Sequence, residues 1–155
     1  MLSLKLGLAV AAAAWAAAAA AAQPPTVTGR WLTEDRNGII DIYDCGDAVC
    51  GRLFWFRPTP EDVGKPPFDR HNPEATLRSR PLCGLEMLGG FKAAEAGRWT
   101  GGWIYNPENG NTYHARMTLG DDGRLRLRGY VGIPLLGETQ IWTRADPAVR
   151  ACQAP

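Results

Sequence analysis

The histidines are the first candidates for chemistry, because imidazole serves both as a general base and as a zinc ligand. The chain has only His71 and His114. Asp69 lies two residues before His71 and could orient its ring for proton transfer. His71 is also surrounded by residues that favour turns, and neither histidine has a companion at ligand spacing. We expect His71 to belong to a turn, His114 to be a solvated strand residue, and the protein to need no metal or cofactor.

Familiar catalytic motifs are missing from the sequence. It contains no G-x-S-x-G, no phosphate-binding glycine loop and no H-E-x-x-H. Asp41 and Glu108 could form a glycosidase carboxylate pair, but no feature of the sequence brings them together. We therefore rank an enzyme last among the function classes.

Two arginines at spacing i, i+2 are better candidates for ligand binding. Arg78 and Arg80 would point to the same side of an extended segment and could grip a carboxylate or phosphate bidentately. The alternative is that they pair with acidic residues of the protein itself, such as Asp69 or Asp62. The sequence leaves both interpretations open.

Aromatic side chains are abundant for so small a protein, and they could fill a core or line a ligand cavity. We predict that the apolar body of a ligand contacts Trp55, Trp99 or Trp103. An anionic head group, if the ligand has one, would then reach Arg78 or Arg80. Most of the other aromatic residues are expected to be core.

The four cysteines are even in number and favour disulfides if the protein is exported. Gly46 and Asp47 allow a tight reversal between Cys45 and Cys50, which leaves Cys83 to pair with Cys152. A zinc site made of all four is the alternative, although the spacing is not the paired C-x2-C type.

The elements that must position these residues are antiparallel β-strands. From Gly29 onward the apolar residues alternate with period two, and turn residues recur every eight to twelve positions. Asn109-Gly110 and Asp121-Asp122-Gly123 predict hairpins. About eight strands are expected, the number that closes an up-and-down barrel with either a filled interior or one small ligand.

One segment does not fit a simple connection between strands. Residues 57–82 contain six prolines and form a loop long enough to suggest a function or mobility. We place the open end of the barrel beside this loop.

The amino terminus predicts export. Residues 1–22 combine Lys5, an alanine-rich apolar run and a small-residue boundary, as in a secretory signal peptide. Residues 23–155 would then form a single domain in the periplasm, without a membrane span. Lys5 accounts for the formal charge of +1, so the mature chain has no net charge to attract nucleic acid.

Several motifs resemble those of a known bacterial family. They are Gly29-Arg30-Trp31, Val49-Cys50-Gly51-Arg52, residues 77–85, Trp99-Thr100-Gly101-Gly102-Trp103 and residues 139–144. The chain is similar to the uncharacterised exported family called domain of unknown function 2147. The resemblance implies a lipocalin-like (calycin) barrel, in which Arg144 would pack on the ring of Trp31 at one end. It implies no established reaction.

Three functions follow in order of preference, and an enzyme with an unrecognised site is the third. The first is a non-enzymatic periplasmic module that binds a small apolar or amphipathic molecule. The second is an envelope interaction or structural protein with a filled barrel, whose partner the sequence does not identify. Cavity volume distinguishes these two, because a packed interior has no room for a ligand.

Overall fold

The computed structural model describes residues 26–154, which form a closed antiparallel β-barrel. Eight strands follow one another around the barrel in chain order: β1 (Gly29–Leu32), β2 (Gly38–Asp44), β3 (Val49–Phe56), β4 (Glu86–Ala93), β5 (Arg98–Asn106), β6 (Asn111–Leu119), β7 (Leu125–Tyr130) and β8 (Glu138–Arg144). The ring closes where β8 pairs with β1. The predicted eight-stranded all-β barrel is confirmed, whereas the proposed signal peptide and the cleavage boundary at residue 22 lie outside the described residues.

The helical content is small. Two short 3-10 turns, Ala75–Leu77 and Pro134–Leu136, lie in the β3–β4 and β7–β8 connections. Within residues 26–154, no helix is long and apolar enough to cross a membrane.

One half of the barrel is filled by side chains. Its largest fully buried residues are Trp31, Ile42, Leu88, Phe91, Met117 and Leu125. Two strand glycines make this packing possible. A Cβ atom at Gly102 would lie 2.5 Å from the ring of Phe91, and one at Gly51 would lie 2.9 Å from Ile40 and Leu88.

β-Bulges interrupt the strict alternation of side chains in β3 and β5. The register shifts between Trp99 and Gly102, where Gly101 has a φ of +71°. Trp99 therefore faces the same side as its partner Met117, while Trp103 faces outward with His114. Strict alternation along β5 would put Trp99, Gly101, Trp103 and Tyr105 on one face. That expectation is wrong because a bulge adds a residue to one strand only.

The disulfides are Cys45–Cys50 and Cys83–Cys152, the pairs that the spacing predicts. The first lies in the β2–β3 hairpin, and the second joins the start of β4 to the C-terminal segment. All four cysteines are engaged in these bonds, so the zinc alternative is wrong. No group of three His, Cys, Asp or Glu side chains within residues 26–154 is arranged to hold a metal ion.

Candidate functional site

A cavity of about 610 Å³ occupies the other half of the barrel. Its mouth is formed by the β1–β2, β3–β4, β5–β6 and β7–β8 connections, which all lie at one end of an up-and-down barrel. We call this the open end. Cavities of about 300–1,000 Å³ accommodate small-molecule ligands in proteins. The barrel is therefore filled at one end and hollow at the other.

The deep part of the cavity is apolar. It is lined by Ile40, Leu53, Met87, Ile104, Leu127 and Trp142. Trp142 is almost fully buried, and its indole N–H donates to Oε1 of Gln140 at 2.8 Å. Because Gln140 accepts the hydrogen bond of the indole N–H, the surface that Trp142 exposes to the cavity is essentially apolar.

Gly129 leaves part of this space free. It lines the cavity on β7, and a Cβ atom there would meet only Ile104 at 3.7 Å and Tyr113 at 3.8 Å, which are ordinary contact distances. Gly129 also lacks the positive φ that would make a side chain strained. A larger residue at this position would therefore extend into the cavity without distorting the strand.

The rim of the cavity is polar and carries charges of both signs. Asp62 pairs with Arg70, and Lys65 approaches the same carboxylate at 3.8 Å. Burial opposes ionisation of Asp62, but the hydroxyl of Thr59 and the charge of Arg70 hold the pKa of this carboxyl below its usual range. Arg57 also lines the rim and forms no ion pair with any described residue. It is the rim cation with a free charge.

A buried hydrogen-bonded cluster fixes the long β3–β4 loop to the outer face of β5. Asp69 is fully buried and accepts hydrogen bonds from Arg80 Nε at 2.8 Å and from Asn72 at 2.8 Å. The hydroxyl of Tyr105 on β5 donates to the other carboxylate oxygen at 2.6 Å. Arg80 Nη2 also pairs with this carboxylate at 2.8 Å, so the loop is held by a charge-assisted network.

The same cluster changes the acidity of Tyr105. Burial, together with the hydrogen bond to Asp69 and the charge of that carboxylate, raises the pKa of Tyr105 to about 12. The phenol therefore remains a proton donor to Asp69 throughout the physiological pH range.

The two arginines predicted to bind an anionic head group serve the loop instead. Arg80 is occupied by Asp69, and Arg78 Nε donates to the backbone oxygen of Asn72 at 2.8 Å. Neither residue lines the cavity. The structure thus favours the alternative for Arg80, which pairs with Asp69, whereas Arg78 binds a backbone oxygen and no acidic residue. Arg57 is the arginine that lines the rim together with Arg70.

The three tryptophans predicted to contact a ligand do not line the cavity either. Trp103 faces outward and packs over Gly89 and Gly90, and Trp99 points into the filled half. Trp55 lies outside the barrel, in a shallow groove next to residues 148–153. A bulge between β2 and β3 turns Trp55 outward with Ile39. The aromatic residues of the cavity and its rim are Phe56, Phe68, Tyr105, Tyr113, Tyr130 and Trp142, of which Tyr105 and Tyr130 belong to the outward-facing rows of their strands.

The histidines do not form a catalytic pair. His71 lies exposed at the rim, but both oxygens of Asp69 are committed to Arg80, Asn72 and Tyr105. His114 is exposed on the outer face of β6, where its ring lies 5.8 Å from that of Tyr130. No hydrogen bond joins either imidazole to a carboxylate among the described residues.

The end of the barrel opposite the cavity is closed by Trp31 and Arg144. The guanidinium of Arg144 lies 3.9 Å from the centre of the Trp31 ring, and the indole N–H of Trp31 donates to the carbonyl of Val27 at 2.7 Å. Arg144 also donates to the carbonyl oxygens of Thr28 at 2.7 Å and Thr26 at 2.5 Å. These contacts hold the described N-terminal segment across the barrel end, as the lipocalin resemblance implies.

The residues that sequence reasoning missed are the aliphatic cavity residues. Alternation identifies Leu127 as inward-facing, but it does not separate the filled end of a barrel from the hollow end. The relevant signal was the position of each residue along its strand. Leu53, Ile104 and Leu127 all lie towards the open-end connections, whereas Met117 and Leu125 lie towards the opposite end.

Comparison with known proteins supports the fold. The structure is similar to that of protein HP1028 from Helicobacter pylori, described as belonging to the lipocalin family, with a TM-score of 0.69 and 21% sequence identity. The match covers 79% of this chain and 84% of that one. A search of curated proteins finds no match. A family model matches residues 29–144, so the chain belongs to the family described as "Uncharacterized protein conserved in bacteria (DUF2147)".

Proposed function

We propose that this protein is a non-enzymatic binding protein that holds one small apolar or amphipathic molecule in the open half of its barrel. The observation that carries the proposal is the cavity of about 610 Å³ with its apolar depth and polar rim. An apolar ligand body gains free energy in such a space because it leaves water, and the rim keeps a polar end hydrated.

The apolar body of the ligand contacts Ile40, Leu53, Ile104 and Leu127 in this proposal, in place of the tryptophans named from the sequence. Arg57 binds the head group if that group is anionic, because its charge is not neutralised by a described partner. Lys65 and Arg70 are weaker candidates, since both share the carboxylate of Asp62.

The periplasm is the compartment that we propose for this activity. The two disulfides support an oxidising environment, and the sequence of residues 1–22 supports export. In that compartment a binding protein of this kind would carry a molecule that dissolves poorly in water.

Filling the cavity tests the proposal. The substitution Gly129→Leu places a side chain in the cavity, and Thr112→Leu is the matched control because Thr112 is exposed at the start of β6 and does not line the cavity. We expect the wild type and the control to bind the fluorescent fatty acid cis-parinaric acid saturably. Gly129→Leu should weaken binding at least about tenfold while the protein stays folded.

A second arm of the same titration examines the polar end. Arg57→Ala should weaken binding of the fatty acid more than binding of the corresponding uncharged alcohol, whereas Arg78→Ala should affect neither. If Gly129→Leu binds the probe as well as the wild type, the ligand does not occupy this cavity. If neither the wild type nor the Thr112→Leu control binds any apolar probe saturably, the proposed function is contradicted.

A further inference from the structure

The connection between β7 and β8 exposes an unusual group of apolar side chains next to the cavity mouth. Val131 is 70% exposed, Ile133 54%, Leu135 80% and Leu136 76%. We call residues 131–136 the apolar tip. The segment between Arg128 and Glu138 contains no charged residue. Clustered exposed apolar side chains of this size mark an interaction site in soluble proteins.

Part of the backbone of the apolar tip is hydrogen-bonded within the protein. Arg128 Nε donates to the carbonyl of Pro134 at 2.6 Å, and Arg128 Nη2 donates to that of Leu135 at 3.3 Å. The amide of Leu136 donates to the carbonyl of Ile133 at 3.2 Å. Three successive carbonyl groups therefore have partners within the protein, which lowers the cost of bringing this irregular backbone to the interface of a membrane.

The surface directly behind the apolar tip is aromatic and then cationic. Tyr130 and His114 lie opposite each other on the outer face of β7 and β6. Arg128 and Arg116 form the next outward-facing pair, roughly 7 Å further from the open end. Neither arginine forms an ion pair with a described residue, so two adjacent positive charges remain without an acidic partner.

We infer that the apolar tip inserts into the surface of a membrane that contains anionic phospholipid, with Arg116 facing the head groups and Arg128 holding the backbone of the tip. A membrane interface favours this order of side chains. Apolar side chains lie deepest, aromatic rings lie at the boundary, and basic residues lie at the head groups. A second copy of the chain is a poorer occupant, because a stable protein interface uses roughly 20–30 residues on each side and the apolar tip has six. The inference goes beyond the proposed function and places the cavity mouth at the lipid surface.

Vesicle flotation tests the inference with the whole mature chain. We expect the wild type to float with vesicles containing phosphatidylglycerol and to bind pure phosphatidylcholine more weakly. The double substitution Ile133→Ser and Leu135→Ser should lower the partition coefficient about tenfold, because two apolar side chains lose their burial. Ile141→Ser is the control, since Ile141 is 36% exposed on β8 opposite Arg126, away from the open end, and the substitution should leave flotation unchanged.

The charges are tested separately. Arg116→Gln should weaken binding to the anionic vesicles about fivefold and leave binding to phosphatidylcholine unchanged. Arg124→Gln removes an equal charge from the β6–β7 hairpin at the opposite end and should have no effect. Arg128 is avoided here because it also holds the apolar tip in shape.

Two results would overturn the inference. One is equal flotation of the wild type and the Ile133→Ser, Leu135→Ser variant. The other is no vesicle binding together with a dimer in sedimentation experiments that this variant dissociates, which would make the apolar tip a protein interface. Ile133 and Leu135 do not line the cavity, so the variant should still bind cis-parinaric acid in the absence of vesicles. A protein that does not float with vesicles can therefore still bind a ligand in its cavity. Likewise, a protein that binds no ligand can still bind vesicles through the apolar tip.

Discussion

At the residue scale, Arg144 combines two kinds of contact at the filled end of the barrel. Its guanidinium covers the fully buried ring of Trp31 and also donates to two carbonyl oxygens of the segment before β1. A cation over an indole ring and hydrogen bonds from a charged donor both stabilise the folded state. This one side chain therefore joins β8 to the segment that precedes β1.

Replacing Arg144 by Ala should lower the free energy of unfolding by about 1–3 kcal/mol. Urea denaturation followed by tryptophan fluorescence measures the change. Arg126→Ala is the control, because Arg126 pairs with Asp122 on an exposed hairpin and such a pair contributes less than about 1 kcal/mol. Equal losses in the two variants would mean that Arg144 stabilises no more than an ordinary surface arginine.

The sequence predicted the residues that depend on spacing and missed those that depend on register. The tight turn between Cys45 and Cys50 predicts the first disulfide, and the two cysteines that remain predict the second. The contact of Trp31 with Arg144 is what the family resemblance implies. Trp55 and Trp103 do not face the cavity as predicted, because one bulge near each of them reverses the direction of the side chains that follow it along the strand. For Arg80 the sequence left ligand binding and pairing with Asp69 both open, because Asp69 is eleven residues away in a loop whose path no local pattern fixes.

At the element scale, the long β3–β4 connection behaves as part of the barrel wall. Its prolines indicate an irregular segment, but no local pattern predicts that Tyr105 of β5 anchors it. The cluster around Asp69 supplies that anchor, and the close approach of the β5–β6 turn at Gly110 to the carbonyl of His71 adds a second contact. A side chain at Gly110 would collide with this carbonyl, so the turn requires glycine there.

The anchor predicts a particular response to alkaline pH. Because the pKa of Tyr105 is raised to about 12 from about 10 in an unfolded chain, its contribution to stability is complete below pH 10 and is lost as the pH rises through 12. The free energy of unfolding of the wild type should fall across this window. Tyr105→Phe should be less stable at pH 8 and should show a shallower fall between pH 10 and 12.

Urea denaturation at a series of pH values measures both slopes. Tyr43→Phe is the matched control, since Tyr43 lies on the outer face beside Arg52 and takes no part in the cluster. It should keep the wild-type slope. Parallel curves for Tyr105→Phe and the wild type would show that Tyr105 does not stabilise the loop through its proton.

At the scale of the whole molecule, the two disulfides lie at opposite ends of the barrel and close loops of very different length. Cys45 and Cys50 are 5 residues apart in a hairpin, whereas Cys83 and Cys152 are 69 residues apart. The second bond ties down the segment after β8, which runs outside the barrel. Its amide at Ala145 donates to Arg30 at 3.0 Å, and its amide at Cys152 donates to Phe54 of β3 at 2.8 Å.

Loop length should decide how much each disulfide stabilises the fold. Cross-linking restricts the unfolded chain more when the closed loop is longer, so Cys83→Ser with Cys152→Ser should cost about 4 kcal/mol and Cys45→Ser with Cys50→Ser about 2 kcal/mol. Urea denaturation of the two double variants under identical conditions measures the difference. The C-terminal segment should also become sensitive to protease only in the first variant, because only there does it lose its covalent attachment near the open end. A larger loss for the hairpin disulfide would show that native contacts around the β2–β3 turn, and not restriction of the unfolded chain, determine how much each disulfide stabilises this molecule.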